Sequence, residues 1–162
     1  MRNLLRKMRM FMERRGEGLV EFSLVLPMFL LLMFAMIDLG RYYWIRETVE
    51  NAIRQAGRYA VTGQSMTNMT RVASIQQVAK NATVGLNPNN TTYTVSSAPP
   101  DSLGAFTSGS AGNPGDFVKV DITTTLGFFT PGIARYFGPN GSNTLNMSVI
   151  FRSENFLPNQ GG

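Results

Sequence analysis

The chain has no cysteine and no histidine. That excludes disulfides, thiolate nucleophiles, imidazole general bases and the commonest zinc sites at one stroke. Charge is scarce too: charged residues make up 15% of 162, well below the usual quarter, while 43% are hydrophobic. One domain of this length has a modest core, so part of that apolar content points to a membrane. The acid–base groups that remain are few and scattered. The chain therefore reads as a non-enzyme, with no catalytic residues, cofactor or metal expected. Asp101, Asp116 and Asp121 lack the spacing and glycine placement of an EF-hand and read as solvated turn acids.

A distributed basic face is also missing, despite a net charge of +5. Before residue 16 stand Arg2, Arg6, Lys7, Arg9, Arg14 and Arg15 against Glu13, six basic residues to one acidic; after it, nine basic residues meet nine acidic ones. The whole excess sits in the leader. Nucleic acid is excluded as a partner on this distribution.

What is present begins with a long apolar run. Leu24 to Ile37 carries no charge, and extension back to Leu19 gives 19 residues, which span about 28 Å at 1.5 Å per residue and match the hydrocarbon core of a bilayer. Pro27 predicts a bend, which membrane helices tolerate. Tyr42, Tyr43 and Trp44 follow, an aromatic group suited to a headgroup interface. The basic leader before the run and the balanced charges after it place the N-terminus in the cytoplasm and residues from about 40 onward outside. A secretory signal peptide is the rival reading, but the run is long and FAMIDLG holds no A-x-A-like cleavage site. A buried soluble helix is the plainer alternative.

Residues 40–61 continue with helical periodicity. Ile45, Val49, Ala52 or Ile53, Ala56 and Ala60 recur every three or four positions, with Arg46, Glu50, Arg54 and Arg58 on other faces. One helix is expected from about 19 to 61, stopped at Gly63. Beyond it, MTRVASIQQVAK (69–80) has the spacing of a short amphipathic helix, and TTYTVSS (91–97) reads as a strand. FVKVDITTTL (117–126) sets Val118, Val120 and Ile122 on one strand face, and LNMSVIFR (145–152) does so with Leu145, Met147, Val149 and Phe151. The intervening FFTPGIARYF reads either as a cover for one end of the sheet or as an exposed apolar docking surface.

The N-terminal third resembles the TadE/TadF pseudopilins, minor pilin-like proteins of the tight-adherence (Flp, type IVc) pilus. The resemblance rests on the basic leader, Gly16, EGLVEF, the apolar run containing Leu26-Pro27, and a helix bearing Arg46, Asn51, Ala52, Arg54, Gly57, Arg58, Tyr59, Ala60 and Val61. It implies cutting after Gly16 by a prepilin peptidase, with Glu17 as the new N-terminus. Gly16 and Glu17 are thus the processing residues, and Glu21 and Phe22 the assembly residues. A glycine at the cut lets a backbone enter a protease cleft closely. Glu21, costly at the mouth of an apolar helix, would then pair with the new α-amine of its own chain or a neighbour, since buried charges need partners. A carboxylate merely snorkelling near a helix N-terminus is the plain reading.

The expectation from pattern and resemblance together is an α+β, pilin-like fold. Its long N-terminal helix spans a membrane in its first half and packs by its second half against a small antiparallel sheet. The divisions expected are a leader at 1–16, a transmembrane helix at 17–39, its amphipathic continuation at 40–63, and an extracytoplasmic α/β domain with long loops at 64–162. Pro27, Ile45, Val49 and Ile53 are the helix-packing residues. The expected partners are the prepilin peptidase, other pilins or pseudopilins with the assembly platform, and membrane lipids. The expected place is the bacterial cytoplasmic (inner) membrane, crossed once, with entry into the pilus open. The alternatives are an uncleaved, membrane-anchored scaffold or binding module and, against its length, a major shaft subunit.

Overall fold

The computed structural model describes residues 2–102, 104–130, 135–136 and 142–155, and for residues 2–16 the backbone path alone. Its first element, α1, runs from Arg2 to Val61 without interruption at Pro27 or Gly40. This corrects the expected start near residue 19. The leader is made largely of Leu, Met, Arg and Lys, all strong helix formers, and holds no Gly or Pro before Gly16, so nothing in it ends a helix.

The other end of α1 stops where expected. Gly63 takes a left-handed φ of 71°, a conformation that glycine adopts without a Cβ penalty. The last carbonyls of a helix lack intrahelical partners. Here Arg71 donates to the Ala60 carbonyl at 2.8 Å and to the Gly112 carbonyl at 2.8 Å, and the Glu154 amide donates to the Val61 carbonyl at 3.1 Å. Burial lowers the pKa of the Arg71 guanidinium, and the nearby Asp116 opposes that shift.

The second helix, α2 (Arg71–Ala82), begins under an N-cap: Thr70 accepts from the Ala73 amide at 3.2 Å. Four strands follow, β1 (Thr91–Ala98), β2 (Thr107–Ser108), β3 (Phe117–Gly127) and β4 (Ser142–Arg152). They form one antiparallel sheet in the order β2-β1-β3-β4. The two-residue β2, inside the long loop after β1, has no alternating pattern and was not foreseeable. β4 starts at Ser142, ahead of its apolar alternation, because polar residues Ser142 to Thr144 pair with Gly127 to Thr125.

Directly paired residues share a sheet face, and the register stacks the apolar ones in rows. Val95, Val120 and Val149 make one row; Tyr93, Ile122 and Met147 make the next. That face packs on the stripe Ile45, Val49, Ala52, Ile53, Ala56 and Ala60 of α1, with Ile75 and Ala79 of α2 completing the core. The small residues on α1 allow close approach. At Gly57 an added Cβ would lie 2.0 Å from the Phe151 ring, so the ring occupies the space a side chain would need.

The opposite sheet face carries the charges. Asp121 is not a turn acid as expected: it lies within β3 and pairs with Lys119 at 3.0 Å, because residues two apart on a strand project to the same side. Asp116 does sit in a turn, accepting from the Asn113 amide at 2.7 Å. Half of the FFTPGIARYF segment (131–134 and 137) lies outside the described residues.

Candidate functional site: the bare helix and its joint with the domain

The features singled out for processing and assembly all lie on the first half of α1. Gly16 and Glu17 are consecutive helical residues, so the bond between them is part of an unbroken helix. Glu17 and Glu21 stand four apart, one turn above each other on one face. Both are exposed, with no hydrogen-bond or ion-pair partner among the described side chains. Phe22 and Pro27 are exposed as well. Ile45, Val49 and Ile53 are buried in the core. The helix-packing residues therefore divide: three pack within this chain, and any packing by Pro27 is against something else.

From Glu17 to Ile37 no residue of α1 is buried, and large apolar side chains such as Leu24, Met28, Phe29 and Leu31 stand open. From Met28 to Phe34, about two helical turns, every side chain is Leu, Met or Phe. The helix is long and apolar enough to cross a membrane, and none of the apolar window is covered by the rest of the chain. Contiguous exposure on that scale marks a membrane or protein contact.

Where the bare helix meets the domain there is a joint that the sequence reading overlooked. Asp38 follows the apolar run directly, yet it is only 2% exposed. Its carboxylate accepts from the Phe129 amide at 3.1 Å, the Thr130 amide at 2.9 Å and the Thr130 hydroxyl at 2.7 Å. One turn on, Arg41 donates to the Gly127 carbonyl at 3.2 Å, and its guanidinium lies 5.1 Å from the centroid of the Phe129 ring. This distance suits a cation–π contact. The end of β3 is thereby fastened to α1 at the point where the apolar run ends.

The signal for Asp38 was there to be used. It stands seven residues before Ile45 and eleven before Val49, on the same inward stripe. An acid on an inward stripe requires donors. What the sequence could not supply was their location, 91 and 92 residues further along the chain.

Residues 16–58 match the family model of TadE-like proteins. Over this segment, about a quarter of its length, the chain is similar to that family. No curated protein and no solved structure matches it. The TadE-like segment takes in Gly16, Glu21, the bare apolar helix, Asp38 and most of the stripe that packs on the sheet, and it stops before α2. A TadE-like helix carrying a four-stranded antiparallel sheet is thus the α+β arrangement expected from the sequence.

Proposed function

We propose that the chain is a minor pilin-like subunit or assembly factor of a tight-adherence pilus, with no catalysis of its own. It crosses the cytoplasmic membrane once, N-terminus inside, and is cut after Gly16 by a prepilin peptidase. The observation that carries this reading is the conjunction of Gly16, Glu21 and Phe22 with an uncovered apolar helix, all inside the TadE-like match. Cutting removes the leader's excess of positive charge and leaves a chain with nine basic and nine acidic residues. Those leader charges resist withdrawal of the helix from the membrane, so their loss frees it to join an assembly. The other pilins of that assembly, its platform and the peptidase are the partners implied.

Glu21 then serves the assembled state. Surrounded by neighbouring apolar helices, its carboxylate pairs with the α-amine of Glu17 on its own or an adjacent chain and sets the axial register. Removing one member of a buried pair costs about 3 kcal/mol or more, roughly a hundredfold in assembly affinity. Glu21→Ala should therefore still be cut after Gly16 but be depleted to a similar degree from sheared filaments or from complexes with the other subunits. Undiminished incorporation of the variant would remove the assembly role.

A second reading, an uncleaved anchored scaffold, draws on one observation. The Gly16–Glu17 bond is helical, and a helix must open locally before a protease can hold its backbone extended. Gly16 and Gly18 ease that opening, since each weakens a helix by about 1 kcal/mol relative to alanine.

A further inference from the structure

The joint at Asp38 fixes more than the angle of the domain: it fixes a height. With Leu19–Ile37 in the hydrocarbon, Asp38 stands at its outer boundary. The amides of Phe129 and Thr130, bonded to that carboxylate, stand at the same level. Thr130 turns inward and is buried, whereas Phe129 is 69% exposed. An aromatic ring is thus held open at the boundary between acyl chains and headgroups, where aromatic side chains are favoured.

Neighbouring groups fit the same layer. The Arg41 guanidinium, exposed beside that ring, suits a lipid phosphate. About 9 Å further along α1, six residues at 1.5 Å each, Trp44 is half-exposed and touches the turn after α2: a Cβ on Gly85 would lie 3.1 Å from its ring. Val84, next to that glycine, is 79% exposed. Between the two connections lies a cleft of about 170 Å³, lined by Arg41, Trp44, Gly85, Asn87 and Gly127 among others. The turn after α2 and the end of β3 therefore converge on the membrane-proximal part of the domain.

We propose that this edge of the domain is a second membrane contact: Phe129 enters the lipid interface beside α1 while Arg41 meets headgroup phosphate. The occupant is the lipid of the bilayer that α1 itself crosses, because the amide hydrogen bonds to Asp38 hold this edge at the level where the apolar run ends, and the ring there is open. The contact would hold the domain down on the membrane before assembly, and extraction of the helix would have to break it. This inference rests on the membrane-crossing reading above.

The test uses the full chain in vesicles of phosphatidylcholine and phosphatidylglycerol. Trp44 is the sole tryptophan, so Trp44→Phe with Phe129→Trp gives a reporter at the edge, and Trp44→Phe with Met28→Trp gives one in the apolar run. Lipids brominated near the headgroup end should quench the position-129 reporter several-fold more than lipids brominated near the acyl terminus, with aqueous iodide ineffective. Adding Asp38→Ala should shrink that shallow quenching. If iodide quenches position 129 and neither lipid does, while the position-28 reporter is quenched by the deep lipid, the second contact is overturned, the crossing stands, and the edge is left to a protein partner. If position 28 is not lipid-quenched either, both fall.

Discussion

At the scale of single residues, the consequential side chains are acids placed where acids are costly. Asp38 meets that cost with three donors from the end of β3. Asp38→Ala leaves those donors without their acceptor, and a buried unpaired donor costs about 1–3 kcal/mol. The expected result is local: hydrogen exchange at the Phe129 and Thr130 amides should speed up about tenfold or more, which corresponds to about 1.4 kcal/mol. Exchange at Val118 and Val120, in the middle of the sheet, should be unaltered. Equal acceleration at both places would mean that Asp38 supports the whole domain rather than the joint. Glu17 and Glu21 are the opposite case, exposed and without described partners; the partner proposed for Glu21, the α-amine of Glu17, would exist only after cutting. Glu21 was legible from its place before the apolar run and its spacing from Gly16, and helical periodicity could have located Asp38; no local pattern supplies a donor some ninety residues away.

At the scale of elements, α1 is one helix with two surroundings. Its first half offers Leu, Met and Phe in every direction, whereas its second half narrows to a stripe of Ile, Val and Ala that fits the sheet. Gly57 belongs to that fit, since the Phe151 ring of β4 occupies the position its Cβ would take. Gly57→Ala should destabilise the domain by about 1–3 kcal/mol through overpacking, read by thermal unfolding in detergent. The cost should shrink in a Phe151→Leu background; an equal cost in both would show that the ring is not the obstacle. Alternation on β1, β3 and β4 and the stripe on α1 made these elements legible, because a half-buried strand or helix must repeat at its own period. Three features escaped that logic. The leader's helix has composition but no stripe, β2 is too short to alternate, and the sheet's partner order depends on contacts between distant segments.

At the scale of the whole molecule, a domain is fastened to a bare helix at the height where the apolar run ends, and a charged leader extends the other end of that helix. The positively charged leader, the apolar run and the interfacial aromatics were readable from residue order alone, as was the TadE-like character of the first third. The joint behind the proposed second membrane contact was not, because it is made by residues that only folding brings beside Asp38. The central claim is processing: the leader is removed so that a membrane-held subunit becomes an assembling one. Intact-mass measurement of the membrane-associated protein, in cells with and without the prepilin peptidase, tests it most directly. The account predicts a chain beginning at Glu17 when the peptidase is present and one retaining residues 1–16 when it is absent. A leader retained in both would contradict it and leave the anchored scaffold as the function.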